Sequence, residues 1–183
     1  MLKDIYSYNR ISIVGGSGSG KSTLADILSK ELNLPTTHLD AINYNPNWEQ
    51  IDKNERDSII SSKSSEEKWI IDGNYTKTVQ ERFNRADLII WLDYSTFALL
   101  KGLFKRYLKF HSKEKPELPG CRERINFEFY KYAITYNKKK RHIIVDALKD
   151  ITSEKVLIFK NQKDLNKWLI ESTDNKNILD IIK

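Results

Sequence analysis

Apolar residues fall in short bursts along this chain, and the bursts alternate with stretches of helical spacing. "RISIV" (10–14) is a β-branched run closed by glycines, the pattern of a buried strand. Leu24, Ile27, Leu28 and Leu32 then recur three and four apart, which predicts an amphipathic helix over 21–32 that Pro35 stops. "TTHLD" (36–40) reads as a second strand, with His38 and Asp40 on the same side. "AINYNPNW" reads as a turn-rich loop. Residues 50–66 are polar and helix-compatible. "KWIIDG" (68–73) is a third strand, 76–83 a short helix, and "ADLIIWLD" (86–93) the clearest strand of all. Phe97, Leu100, Phe104, Leu108 and His111 line one stripe of a helix over 95–112. Two prolines and Gly120 break the chain at 112–120. Residues 121–149 are then expected to be helical, with Phe127, Tyr130 and Ile134 as a core stripe. "KVLIF" (155–159) is a fifth strand and 162–171 a last helix.

Wholly apolar strands separated by helices predict a parallel sheet covered on both faces. The expected fold is α/β, three layers around a five-stranded parallel sheet, in one domain over 1–183. Ligands in such sheets bind beyond the carboxyl ends of the strands. That rule singles out 15–22, Asp40, 72–75, 93–95 and 160–162.

The first of these carries the strongest motif. Gly15-Gly16-Ser17-Gly18-Ser19-Gly20-Lys21-Ser22 matches G-x-x-x-x-G-K-[ST], after a strand and at the start of a helix. Glycines let successive amide groups turn inward around phosphate oxygens, and the helix N-terminus points at the same anion. Lys21 suits the β- and γ-phosphates, Ser22 a magnesium ion, and the adjacent Thr23 support of the loop. The pattern predicts binding of a nucleoside triphosphate, with ATP the expected one. Such a site also needs a carboxylate at a neighbouring strand end to organise magnesium. Asp72 is the first choice, Asp93 the next and Asp40 the third. Asp40 is better placed to orient an acceptor or take its proton. His38 is given no role.

Composition narrows the class. The chain has 183 residues, 39% hydrophobic and 31% charged, as expected of one globular domain. No apolar run reaches membrane-spanning length. "MLKDIYSYNR" has no apolar signal core, so a cytoplasmic protein is expected. One cysteine, Cys121, excludes an intrachain disulfide and a cysteine-cluster zinc site, and it is read as inert. The net charge is +6, unevenly spread. Residues 101–149 hold fourteen Lys or Arg against five acids, a net +9, which leaves −3 for the rest. This basic segment is expected to face something anionic. It also carries Phe104, Tyr107, Phe110, Phe127, Phe129, Tyr130, Tyr132 and Tyr136. Aromatics among basic residues can bind single-stranded nucleic acid, a minority reading here.

"GGSGSGKSTLA", "HLDAINYNPNW", "WIIDGNY", "ADLIIWLDYS", "LFKRYLKF" and "NKKKRHII" together resemble the adenylate-kinase-like P-loop kinases. Within them the chain is similar to the small proteins labelled DNA topology modulation protein (FlaR-like). The resemblance implies a nucleoside-monophosphate-kinase type of fold, with an acceptor region and a basic helical lid over about 101–149. It implies transfer of the γ-phosphoryl of ATP to a small acceptor, a nucleotide or nucleoside among the candidates. The alternative is a nucleic-acid-binding ATPase or regulator affecting DNA topology. Where adenylate kinases have D-G-F-P-R, this chain has Asp72-Gly73-Asn74-Tyr75-Thr76, with Arg82 or Arg85 as replacements for the missing arginine. Lid arginines stabilise the transferring charge in related kinases. Arg106 is the first candidate, beside Lys105, with Arg122, Arg124 and Arg141 as further ones. "KNQKD" (160–164) matches, by position, the loop that packs on the nucleotide base.

Overall fold

The computed structural model describes residues 4–110, 114–115, 118–122 and 127–173. Five parallel strands form the sheet: β1 (Arg10–Gly15), β2 (Thr36–His38), β5 (Trp69–Asp72), β6 (Leu88–Leu92) and β9 (Val156–Phe159), in the order β2-β5-β1-β6-β9. Between them lie α1 (Lys21–Leu32), α2 (Leu39–Asn43), α3 (Lys53–Ser64), α4 (Val79–Arg85), α5 (Thr96–Phe110), α6 (Phe127–Lys139) and α7 (Arg141–Leu148), with α8 (Gln162–Ser172) after the last strand. Two small antiparallel hairpins complete the fold, β3 (Tyr44–Asn45) with β4 (Glu49–Gln50) and β7 (Glu114–Lys115) with β8 (Leu118–Arg122).

The apolar alternation explains the layers. Ile11, Ile13, Ile70, Leu88, Ile90 and Leu92 pack on one face with residues of α1, α5, α6 and α8. Val14, Trp69, Ile71, Ile89 and Trp91 pack on the other with residues of α2, α3, α4 and α7. Successive strand residues point to opposite faces, so both faces need apolar residues and the strands read as unbroken runs. This is the expected three-layer α/β fold. β1 is central, with β5 on one side and β6 on the other. The chain order reverses there, so a crevice opens at the carboxyl end of β1. Among the described residues, no helix is long and apolar enough to cross a membrane.

Several local expectations give way. β2 ends at His38, and Asp40 sits inside the short α2 rather than at a strand end. The stretch read as a loop, 41–48, holds the end of α2, the strand β3 and the turn that leads to β4. The stretch read as one helix over 121–149 begins within β8 and contains two helices, α6 and α7, which part at Lys140. Much of the stripe expected on α5 faces outward: Phe97 is 78% exposed, Phe104 56% and Leu108 63%, while Leu100 is partly buried against the core. The buried positions of that helix are Leu99 and Leu103. The cause is the neighbour. A Cβ on Gly102 would overlap the carbonyl oxygen of Gly18, so α5 meets the glycine loop on its smallest face. Ile134 is likewise exposed, and α6 buries Ala133 and Tyr136 instead. His111 and Arg124 lie outside the described residues, as do the side chains of Phe127, Tyr130, Cys121 and Arg122.

Candidate functional site

The glycine loop leaves β1 at Gly15 and enters α1 at Lys21. Gly18 and Gly20 have φ near +87° and +88°, the left-handed region that side chains rarely adopt. Lys21 folds back over the loop, where its Nζ donates to the Gly16 carbonyl at 3.2 Å. Asn74, from the turn after β5, clasps the loop's entry. The Gly15 N–H donates to Asn74 Oδ1 at 3.0 Å, and Asn74 Nδ2 donates to the Gly15 carbonyl at 2.9 Å. Sequence reasoning gave Asn74 no such part. Gln162, at the start of α8, sits beside Gly20 and is hydrogen-bonded to Tyr94 Oη at 3.4 Å. The 160–164 segment therefore borders the loop.

Asp72 ends β5, next to β1 in the sheet, and is buried. Ser22 Oγ donates to its Oδ2 at 2.9 Å. On the other side the His38 Nδ1 lies 2.5 Å from Oδ1, since β2 and β5 pair His38 directly with Asp72. His38 Nε2 faces Asp26 of α1 at 3.2 Å. His38 and Asp40 therefore do not share a side, contrary to the strand reading. A hydroxyl and a carboxylate, both hard oxygen donors, suit magnesium. That ion takes few protein ligands and completes its shell with phosphate and water. No group of three or more His, Cys, Asp or Glu able to hold a metal occurs among the described residues. A magnesium site shared with phosphates requires none.

Asp93 is differently employed. It lies at the end of β6, where Arg141 Nε and Nη2 reach its two oxygens at 2.8 Å each and Lys160 Nζ joins them. Both cations also lie over the Trp91 ring. Burial alone would raise the Asp93 carboxyl, but Arg141 and Lys160 outweigh it and hold it below the usual range. Asp93 thus ties the start of α7 and the end of β9 to the sheet. Arg141, offered above as a lid cation, has its planar fork on this carboxylate. The pairing fits the Arg preference for bidentate carboxylate contact.

A second polar group gathers at the same edge of the sheet. Tyr75 Oη donates to Asp40 Oδ1 at 3.1 Å. The Arg56 guanidinium stacks over the Tyr75 ring, 4.9 Å from its centroid. It also donates to Asn43 Oδ1 at 3.0 Å and to Asp57 Oδ1 at 2.7 and 3.0 Å. Lys77 pairs with the other Asp57 oxygen at 3.1 Å. Burial and the Asp40 charge both push the Tyr75 phenol far above its ordinary value, so it acts as a donor. Beside this group, Tyr44 and Trp48 meet edge to face at 5.3 Å. Asn47 and Trp48 have φ of +64° and +66°, an uncommon conformation for such residues. β8 lies against Pro46–Trp48, so the hairpin of the basic segment meets the hairpin beside Asp40.

The two proposed replacement arginines do other work. Arg82 is fully buried. It donates to the carbonyls of Gly73 at 3.0 Å and Asn74 at 2.7 Å, so it braces the turn after Asp72 from beneath. Burial pulls its guanidinium down to about 10, with Asp72 opposing, and it remains charged at neutral pH. Arg85 points to the end of α3, bonding Ser61, Ser64 and Ser65 and pairing with Glu81. Arg56 is the arginine that stands with Asp40, and no pattern in the polar 50–66 stretch marked it. Arg106 is partly buried and lies one turn beyond Gly102, on the face of α5 that packs against the loop.

No protein-family model matches this sequence, and no curated protein matches it. Solved structures do resemble it in fold. The shikimate kinase from Acinetobacter baumannii in complex with shikimate matches with a TM-score of 0.57 at 15% identity, over 91% of this chain and 93% of that one. A gluconokinase from Sinorhizobium meliloti 1021 matches with a TM-score of 0.52 at 14% identity, over 94% and 93%. The shikimate kinase from Aquifex aeolicus vf5 matches with a TM-score of 0.51 at 20% identity, over 89% and 95%. The chain therefore has the fold of the small P-loop kinases.

Proposed function

We propose that this protein is a P-loop phosphotransferase that moves the γ-phosphoryl of ATP to a small acceptor bearing a hydroxyl or phosphate oxygen. The observation that carries the reading is the 2.9 Å hydrogen bond from Ser22 to Asp72 at the mouth of the glycine loop, on the sheet edge that also holds Asp40, Tyr75 and Arg56. Fold likeness to a shikimate kinase and a gluconokinase, both small-molecule kinases by name, supports the same class.

In this reading Gly15, Gly16, Ser17, Gly18, Ser19 and Gly20 wrap the phosphates with backbone amides, and Thr23 supports the loop from α1. Lys21 spans the β- and γ-phosphates. Ser22 and Asp72 hold magnesium, which when bound neutralises phosphate charge. Where the acceptor is a hydroxyl, Asp40 takes its proton as the oxygen bonds to the γ-phosphorus; an ionised phosphate oxygen attacks without a base. The bond from that phosphorus to the β,γ-bridging oxygen breaks, and ADP departs. Tyr75 holds Asp40 through one carboxylate oxygen, and Arg56, its fork held by Asp57 and Asn43, braces the Tyr75 ring. Arg106 contributes positive charge from α5, and β8, which lies against Pro46–Trp48, covers the acceptor side. The basic 101–149 segment is then a lid on a single domain. ADP release screened over nucleoside monophosphates, nucleosides and hydroxy acids tests this, with Lys21→Ala as the control. At least one acceptor should raise turnover above the control.

A second reading, an ATPase acting with nucleic acid, has one observation in its favour. The exposed face of α5 presents Phe97 and Phe104 beside Lys101 and Lys105, and α5 holds no acid. Aromatic faces and lysines in one row suit single strands. ATP turnover stimulated by single-stranded DNA, with salt-sensitive binding, would favour that reading instead.

A further inference from the structure

Four side chains form a line of three contacts beside the glycine loop, and one turn of α1 joins its ends into a ring. Ser22 and Asp26 stand one turn apart on α1, so they share a face. Asp72 and His38 are direct partners at the ends of adjacent strands. Ser22 bonds Asp72 at 2.9 Å, Asp72 meets His38 at 2.5 Å, and His38 meets Asp26 at 3.2 Å. The Asp72 and His38 side chains are 5% and 16% exposed, while that of Asp26 is 55% exposed. The ring is thus anchored inside and opens to solvent at Asp26.

Each contact restricts the next. A carboxylate on a strand end has a broad torsion about its terminal bond and turns easily unless both oxygens are engaged. Ser22 engages Oδ2. It does so through its hydrogen, which would leave its oxygen lone pairs available to a metal. The His38 contact on Oδ1 involves no group of the loop.

We propose that His38 is a positioning residue for the phosphate-side carboxylate: it fixes Asp72 in the orientation that serves Ser22, and Asp26 fixes His38. The proposal rests on the kinase reading above only in taking Asp72 to serve magnesium. Groups that orient a metal-organising residue typically change metal affinity about 10–100-fold when removed. The ring therefore sets how much magnesium improves nucleotide binding, while the glycine loop sets the metal-free affinity.

Binding of a fluorescent ATP analogue, with magnesium or with EDTA, tests this without any acceptor. His38→Ala should lose about tenfold or more of the magnesium-dependent gain in affinity while affinity in EDTA stays near wild type. His38→Asn, whose amide can reach Asp72 in place of Nδ1, should restore most of the gain. His38→Gln, whose amide is set one bond further out, should not. Asp26→Asn should show a smaller loss in the same direction. Circular dichroism melting would verify that each variant is folded. The proposal is overturned if folded His38→Ala keeps the full magnesium gain, or if Asn and Gln restore it equally. It is also overturned if His38→Ala binds poorly in EDTA to the same degree as in magnesium, which would make His38 a support of the loop. If wild type itself shows ATP binding but no gain from magnesium, the metal role of Asp72 fails, and the proposal with it. The first outcomes strike the His38 ring alone and leave the kinase reading standing.

Discussion

Asn74 and Gly15 are joined by two hydrogen bonds, Gly15 N–H to Asn74 Oδ1 at 3.0 Å and Asn74 Nδ2 to the Gly15 carbonyl at 2.9 Å. A side-chain amide here copies a backbone ladder rung and ties the turn after β5 to the entry of the glycine loop. Asn74→Ala should cost about 1–3 kcal/mol of stability, the net worth of two such bonds, and lower ATP affinity roughly tenfold by loosening the loop. Asn74→Asp keeps the acceptor, loses the donor and adds negative charge beside the anion site. It should bind ATP no better than the alanine variant. Isothermal titration with ATP checks both.

Arg82 and Arg85 should separate in stability. Arg82→Met leaves the Gly73 and Asn74 carbonyls without their charged donor inside the protein, and should destabilise by on the order of 3 kcal/mol. Arg85→Met breaks partly exposed contacts and should cost under about 1 kcal/mol. Urea unfolding of the two variants measures the difference. Equal, small losses would contradict the bracing role of Arg82.

The Asp93 node gives a pH dependence with a definite sign. Arg141 and Lys160 hold the folded carboxyl below its unfolded value of about 3.9. Its stabilisation is therefore fully present above that value and is lost as pH falls through the lower, folded value. Asp93→Asn lacks the contribution at every pH. The melting-temperature gap between wild type and Asp93→Asn should be widest near neutrality and narrow as pH drops below about 4. A gap that does not change with pH would contradict the ion-pair assignment.

The acceptor side should be separable from the nucleotide side. With a hydroxyl acceptor, Asp40→Asn should lower kcat by about 10²–10⁴-fold, the range for removing a general base, with ATP affinity nearly unchanged. Arg56→Met removes the cation stacked on Tyr75 and should lower kcat in the same direction by a smaller factor. Both follow from steady-state kinetics on the acceptor that the ADP-release screen identifies.

Much of this architecture was legible in the chain. The unbroken apolar run 88–92 between two aspartates has the length and β-branched content of a strand buried on both faces, and G-x-x-x-x-G-K-[ST] sets the turn into α1 by backbone chemistry alone. What was not legible depends on partners distant in sequence. The large residues Phe97, Phe104 and Leu108 suggested a core stripe, yet α5 turns them out because Gly102 must meet Gly18. Arg82 looked like a ligand-binding cation, yet two backbone carbonyls offered it a buried seat. His38 looked unremarkable because its partners, Asp26 and Asp72, are 12 and 34 positions away. Arg56 needed Tyr75 and Asp40 beside it before its placement carried meaning.

Transfer of label from γ-labelled ATP is the most direct test of phosphotransfer. With magnesium and the acceptor that most stimulates ADP release, label is expected on the organic acceptor in a one-to-one ratio with ADP formed, and Lys21→Ala should abolish it. Label that appears only as inorganic phosphate with every acceptor, at a rate that single-stranded DNA increases, would contradict the kinase assignment.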